Sequence, residues 1–477
     1  MKLKMRSLVG SDVVSVDGRR YHLTGIVGYG SQGMVYEEGT GKYVVKFYFP
    51  GHPHNVEENV FERLGFLKNI AMPKNFVTVI DVIRSPYLGY VMERVVDHKP
   101  LSTYLIPDPN SSFAEWYNQG LGLYERLFVG YLIARSFGEL ESNNLSYCDI
   151  SGNNILVKVA KGVSVKMIDV DNIYIGGKGM AMVLGTPRYI APEVTSRRQN
   201  PDVLSDNYSL AVLLFELLRV GHPYIDDDVL DGTPQDEEAA LACKADYVSD
   251  ENAKNMLPED VAFTSRLKEL FRRCFVEGKT NRMRRPSAVE FEQALLEATN
   301  KVIKCPSCGA WHYPIYRNKV WEACPWCENP SNPTAIVNFH DVFCEEEDYR
   351  NAILRGKIKF SKHVNSCIIK DRWKNRIRSL YVFPVNEFDK GKSSENYFTI
   401  AHDDRGYHAY NEFSKPGIVV RKRGSVEFQY LSKEEPVLLH DGDAVYFEMD
   451  NSGAIEMDCG SKTYYVIRVA SFWEVSG

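Results

Sequence analysis

The chain has 477 residues, of which 44% are hydrophobic, 25% charged and 12% aromatic, and it carries a net charge of −6. At about 150 residues per domain that length accommodates about three domains, each able to bury a core. The balance excludes bulk disorder, collagen and coiled coil, and its mild acidity argues against a chain built mainly to coat nucleic acid or anionic membrane. The N-terminus (MKLKMRSLVGSDVVSVDG) has no apolar core of signal-peptide length. The longest apolar runs, such as Ser209–Leu218, fall well short of the ~20 residues that span a bilayer. Ten cysteines point to metal or catalysis rather than a disulfide framework, and the expected compartment is the reducing cytoplasm.

After an N-terminal segment (1–20), residues 21–48 alternate short apolar runs with glycines and predict β-hairpins. Residues 55–70 predict a helix, with Val60, Leu64 and Leu67 at helical spacing and Glu58 and Glu62 four apart on one face. Longer helical patterns follow at 124–140, 206–218 and 265–275, so the stretch 21–300 reads as a two-lobed α+β body. A cysteine-rich module occupies 301–330, and ENPSNPT (328–334) reads as a linker. Residues 335–477 then present short β-branched and aromatic runs: LYVF, YFTI, GIVV, VEFQY, VLL, AVYF and YYVIRV. Such spacing predicts an all-β sandwich or barrel.

Gly28-Tyr29-Gly30-Ser31-Gln32-Gly33-Met34-Val35 is a G-x-G-x-x-G-x-V loop, whose glycines let backbone amides close over phosphates. A glycine hairpin turn would read the same way. Thirteen residues after Gly33, Lys46 stands inside the strand-like run YVVKFY. A lysine there is costly without an anionic partner, which an ATP phosphate and a helix carboxylate would supply. Asp149 and Asn154, five apart, can hold a hydroxyl nucleophile and a magnesium ion side by side. Twenty residues after Asp149 comes Asp169, at a strand end where a second magnesium ligand is needed. The stretch GTPRYIAPE (185–193) and then Asp206-Asn207-Tyr208-Ser209-Leu210 complete the series.

In this order, these elements resemble those of the eukaryotic-type serine/threonine protein kinases over residues 20–300. The resemblance implies a bilobal kinase fold, ATP with Mg²⁺ or Mn²⁺, and protein substrates phosphorylated on serine or threonine. It implies that Gly28, Gly30, Gly33 and Val35 cover the nucleotide while Lys46 contacts its α/β-phosphates and pairs with Glu62, or with Glu58 one turn earlier. Asp149 would be the catalytic base, and Asn154 and Asp169 the magnesium ligands. Met92 would be the gatekeeper, with the backbone of Glu93 and Val95 binding adenine. Thr186 would hydrogen-bond Asp149 and mark the serine/threonine class; Glu193 would pair with Arg285, and Asp206 would cap the catalytic-loop backbone.

Three positions depart from the family pattern. Tyr147 and Cys148 replace the histidine and arginine before the base, giving a non-RD type, and residues 170–184 contain no serine or threonine. The missing phosphate receiver and the missing phosphosite agree in excluding the usual loop switch, with Tyr174 a formal exception. Ser151 replaces the lysine two residues after the base, a loss of ~1.5–3 kcal/mol, or roughly 10- to 150-fold in rate. Asp171 replaces the glycine of D-F-G, stiffening the segment or adding a metal contact. Survival of Lys46, Asp149, Asn154 and Asp169 favours an active enzyme; the alternative is a pseudokinase or nucleotide-sensing scaffold whose β-domain binds a partner.

Cys305, Cys308, Cys324 and Cys327 form C-x2-C-x15-C-x2-C, the spacing with which four thiolates surround a zinc ion. This module resembles a zinc ribbon, with His312 a spare ligand. Nine Lys/Arg between residues 355 and 378 form either a solvated face beside the acidic run 345–348 or a dock for an acidic or phosphorylated partner. The run 412–448, with Leu439–Val445 as an L-x-x-G-D-x-V strand, faintly resembles a forkhead-associated sandwich. Neither membrane nor nucleic acid is expected as a partner.

Overall fold

The computed structural model describes every residue except 1–6, 31, 52–56, 161, 176–184, 371–372, 379–395, 416, 449–454, 460–461 and 476–477. The chain divides into two compact units, 1–295 and 296–477.

The first unit begins with β1 (Asp12–Val14), β2 (Arg20–Tyr29), β3 (Gly33–Glu38), β4 (Tyr43–Tyr48), β5 (Asp81–Ile83) and β6 (Gly89–Glu93), an antiparallel sheet in the order β1-β2-β3-β4-β6-β5. Strand period two puts Tyr21 and Leu23, Met34 and Tyr36, and Val45 and Phe47 on one face, where they share a core. The sheet begins earlier than the sequence pattern indicated. Residues 12–14 of the N-terminal segment supply its edge strand, and Val16 N–H donates to Val82 O at 2.8 Å. Helix α1 (Glu57–Asn69) buries Val60, Leu64 and Leu67.

The rest of this unit is largely helical, with α2 (Phe113–Gly120), α3 (Leu123–Ser142), α4 (Val203–Arg219), α5 (Ser265–Arg272) and α6 (Ala288–Thr299), the last running on past the boundary. Helix α4 is buried without a break from Ser205 to Arg219, so its polar side chains need internal partners. Arg219 donates to Leu257 O at 3.0 Å and to Asp250 at 2.6 Å. Between the helices lie β7 (Lys99–Pro100), β8 (Leu145–Ser146), β9 (Ile155–Lys158), β10 (Ser164–Met167) and β11 (Tyr174–Ile175). Pairing of β9 with β10 and of β8 with β11 frames the loops 147–154 and 168–173. The acidic stretch 226–238 caps short helices: Asp226 accepts from Val229 N–H, and Thr233 and Asp236 form a reciprocal cap.

The second unit opens with two small hairpins, β12 (Ile303–Lys304) with β13 (Trp311–His312), and β14 (Tyr316–Arg317) with β15 (Val320–Trp321). Eleven strands follow: β16 (Ala335–Cys344), β17 (Ile358–Ile369), β18 (Lys374–Arg378), β19 (Asn396–Asp403), β20 (Gly406–Tyr410), β21 (Ile418–Arg421), β22 (Gln429–Tyr430), β23 (Val437–Leu439), β24 (Ala444–Phe447), β25 (Ile455–Cys459) and β26 (Lys462–Glu474). They form one sheet β17-β16-β26-β24-β21-β22, with β25 on β26, and another β18-β19-β20-β23. Phe339 and Phe472 from the first sheet and Phe398, Ile400 and Leu439 from the second share one core, which makes a sandwich rather than a barrel. The first sheet's other face is covered by α7 (Tyr349–Leu354).

Several expectations need revision here. The hairpins and the sandwich lie in one unit, and the segment 328–334 is packed: Ser331 is buried and its hydroxyl hydrogen-bonds His312 Nε2 at 2.9 Å. The long β16–β17 pair lies where the sequence pattern showed no strands. LYVF (380–383) lies outside the described residues. Asp443 of the G-D turn is buried, accepting from the Arg423 and His440 amides at 2.8 and 2.9 Å and from Lys422 at 2.7 Å.

Inside the larger sheet, Arg468 Nε donates to Asp341 Oδ1 at 2.6 Å, with both residues buried. Removing one member of such a pair leaves a buried charge uncompensated, which costs about 3–5 kcal/mol. Urea denaturation of Arg468→Leu should therefore show a large loss of stability. Adding Asp341→Leu to that variant should recover much of it.

Candidate active site

Lys46 sits in mid-β4 and is buried because both of its neighbouring strands, β3 and β6, pair through it: it lies opposite Val35 on one side and Tyr90 on the other. Its amine donates to Asp169 Oδ1 at 3.2 Å and to both oxygens of Asp171 at 3.1 Å. Asp171 also accepts from the Tyr48 hydroxyl at 2.5 Å and the Tyr90 hydroxyl at 3.1 Å. Burial pushes Lys46 toward neutrality, but the charge of Asp171, then that of Asp169, outweighs it and holds the amine's pKa above its ordinary value. Burial likewise pushes both carboxyls up, while Lys46 draws them down. Asp171, with its extra hydrogen bond from Tyr48, ends below the usual carboxylate range. Asp169, burdened by the charge of Asp171, ends above it.

Asp169 takes a left-handed backbone conformation (φ 57°) two residues after the end of β10, and its side chain remains 36% exposed. Its Oδ1 faces Lys46. Across the loop, Asn154 Nδ2 donates to Asp149 Oδ2 at 2.9 Å and to Asp149 O at 3.0 Å, while Thr186 Oγ1 donates to Asp149 Oδ1 at 2.8 Å. The Asp149 carboxylate is thus oriented from two sides. Its loop is fixed to α4, because Asp206 accepts from the amides of Tyr147 and Cys148. Burial raises the Asp206 carboxyl to about 7 despite those two bonds. Tyr147 packs on Phe76 and Phe137, and its hydroxyl donates to Ile168 O, one residue before Asp169. Cys148 is buried in a left-handed conformation (φ 69°). Farther along, Arg285 grips Glu193 with two bonds of 2.7 and 2.8 Å.

The three loop glycines differ in kind. A Cβ on Gly33 would lie 2.3 Å from Phe47 O, so this glycine is required by the β3–β4 approach. At Gly28 and Gly30 a Cβ would meet nothing within 4 Å, leaving open space beside the backbone. Met92 is buried near the end of β6, and Glu93 and Val95 follow at the sheet's margin.

A family model, "Protein kinase domain", matches residues 21–295, more than half of the chain. The chain belongs to the protein kinase family. Among curated relatives, the cGMP-dependent protein kinase isozyme 2 forms cD5/T2 of Drosophila melanogaster is 35% identical over 104 residues, 21% of this chain and 11% of that protein. Serine/threonine-protein kinase SAPK4 of Oryza sativa subsp. japonica is 23% identical over 239 residues, 48% of this chain and 59% of that protein. The chain therefore spans less than two thirds of the length of either.

In this kinase, the expected pairing of Lys46 with Glu62 is absent, and so is the alternative with Glu58. Glu62 is exposed, and Glu58 bonds Arg84 at 2.9 Å at the surface. The reason is helical geometry: residue 62 lies about 160° round the helix from both Val60 and Leu64. Sequence reasoning missed Asp171, Tyr48 and Tyr90 as a group. The signal for Tyr48 was present, since period two puts residues 46 and 48 on one face of β4. The opposition of Tyr90 to Lys46 follows from strand register, which no local pattern shows.

In the second unit, the sulfurs of Cys305, Cys308, Cys324 and Cys327 all lie within 4.8 Å of one another. Cys305 and Cys327 are 3.7 Å apart, Cys308 and Cys324 3.8 Å. Burial raises the Cys305 thiol, but the amides of Cys308 and Ser307 and the neighbouring thiols bring it down to about 6. His312 is occupied elsewhere, bonded to Ser331 and to Tyr313 O. In the basic stretch, Lys357 pairs with Glu346, Lys359 with Glu345 at 3.6 Å, and Lys374 with Glu412 at 2.8 Å, so these three charges are matched within the unit. Among the described residues no helix is long and apolar enough to cross a membrane.

The glycine assignment is testable by stability alone. Gly33→Ala forces a backbone clash and should lower the unfolding free energy by about 1–3 kcal/mol. Gly30→Ala, in open space, should stay within about 0.5 kcal/mol of the parent in the same denaturant titration.

Proposed function

We propose that the chain transfers the γ-phosphoryl group of ATP to serine or threonine hydroxyls of proteins. The observation that carries this reading is the convergence of Lys46 and Asp169 beside an Asp149 carboxylate held by Asn154 and Thr186. Asp149 Oδ2 and Oδ1 are set as acceptors, the arrangement that orients a substrate hydroxyl and takes its proton. Thr186, bonded to that carboxylate, supports the serine/threonine class.

Protein kinases use ATP and Mg²⁺, and the residues present fit both. Asn154 turns its Nδ2 to Asp149 and Asp169 turns Oδ1 to Lys46, so Asn154 Oδ1 and Asp169 Oδ2 are the hard oxygens left for a divalent cation. A cation held by these two oxygens would supply neutralisation of the charge that develops in transfer. The open backbone at Gly28 and Gly30 suits phosphate oxygens, with Val35 and Met92 beside the base and the Glu93 and Val95 backbone at its edge. Lys46 would hold the α/β-phosphates. Cys148 supports the non-RD reading, since it offers no cation to a loop phosphate.

We further infer that the four cysteines hold one structural zinc ion. Zn–S bonds of about 2.3 Å in tetrahedral geometry put neighbouring sulfurs about 3.8 Å apart, close to the two short separations here. The β-sandwich would then serve partner recruitment, with the buried Asp443 turn supporting a forkhead-associated-like fold.

Incubation with labelled ATP, Mg²⁺ or Mn²⁺ and generic substrates should label serine and threonine. Asp149→Ala should lower that rate by at least about 100-fold. Equal silence of parent and variant would favour the scaffold reading. Metal analysis should find one zinc per chain, lost in Cys305→Ser/Cys324→Ser together with several degrees of melting temperature in the second unit.

A further inference from the structure

We propose that Asp171 is the residue that positions Lys46, in the place that a carboxylate from α1 was expected to fill. The inference rests on the kinase reading above and goes to the internal control of its site. Three donor contacts of the Lys46 amine are accounted for, two on Asp171 and one on Asp169. Asp171 is 1% exposed, and its two oxygens are each bonded to a second group, the hydroxyls of Tyr48 and Tyr90. These tyrosines come from β4 and β6, the strand of Lys46 and its register neighbour. A carboxylate so enclosed cannot turn to another partner without stranding a buried lysine and two phenols.

Helix α1 is composed against the opposite arrangement. Its two candidate carboxylates, Glu58 and Glu62, are at the surface. The residue flanking its buried stripe is Arg63, about 40° from Leu67 and 60° from Val60, and its positive charge acts on Asp171. A cation on this flank would repel Lys46 and draws on the same carboxylate. Lys46 and Asp169 are therefore tied together by one three-residue segment, Asp169-Val170-Asp171, and movement of α1 does not make or break the lysine's ion pair.

A thermal-denaturation cycle tests the pair without nucleotide. Lys46→Met and Asp171→Asn should each lower the melting temperature, and the double variant should fall by clearly less than the sum. The corresponding cycle of Lys46→Met with Glu62→Gln should be additive. Coupling to Glu62 with none to Asp171 would overturn the proposal, whatever the chain's activity; silence in the phosphorylation assay would count against the kinase reading alone. In the active enzyme, Asp171→Asn should raise the KM for ATP roughly 10- to 100-fold. Tyr48→Phe keeps the carboxylate and removes one of its bonds, and should raise the same KM a few-fold with little change in fold. Moving the carboxylate to the helix in Arg63→Glu/Asp171→Gly should restore part of the lost ATP affinity. An unchanged KM in both Asp171→Asn and Tyr48→Phe would also overturn the proposal.

Discussion

A single buried amine sets the terms for the first unit. Lys46 lies between two hydrogen-bonded strands, where an uncompensated charge would cost several kcal/mol or be lost to deprotonation. Its neutralisation brings Asp169 and Asp171, 123 and 125 residues away along the chain, up against the sheet. The loop after β10 must then pass close beneath β4, and the left-handed turn at Asp169 lets it do so. Electrostatic need at one strand position thus fixes where the helical and the sheet-rich parts of this unit meet.

Helix α4 does the corresponding work from below. Because the helix is buried on all sides, its Asp206 must bond something internal, and the amides of Tyr147 and Cys148 are what it reaches. That bond, together with the Tyr147 hydroxyl on Ile168 O, links the segment carrying Asp149 to the one carrying Asp169. The segments are therefore fixed by backbone anchors, and the carboxylates by separate side chains, Asn154 and Thr186 for Asp149 and Lys46 for Asp169.

Legibility followed sequence distance and periodicity. The glycine loop, the strand lysine and the D-x-x-x-x-N run are local patterns with a physical reason behind each spacing, and chain order supplied the rest. The four cysteines were equally plain, since each C-P-x-C turn needs no distant partner to be recognised. Glu62 failed because its place in a regular apolar pattern suggested a role that the same pattern excludes: a residue midway between buried Val60 and Leu64 faces outward. Strand β17 was illegible for a related reason. At the sheet's edge, β17 (IKFSKHVNSCII) is exposed over more than half its length and interleaves lysines with apolar residues, so neither a clean alternation nor a continuous apolar run appears. The 328–334 segment looked like a linker from its prolines, but His312 captures Ser331 across nineteen residues, a contact no composition signal carries.

The replacements around Asp149 fit together better than they do singly. Cys148 is buried, and its amide donates to the Asp206 carboxylate at 3.0 Å. Cys148 is neutral there, its thiol pushed well up by burial and by the negative charge of Asp206. Tyr147, in turn, bonds by its hydroxyl the segment that precedes Asp169, a tie with no dependence on protonation near neutral pH because burial raises its phenol still further. With Asp171 adding a second carboxylate for Lys46, the lysine is aligned by two acids of one short segment.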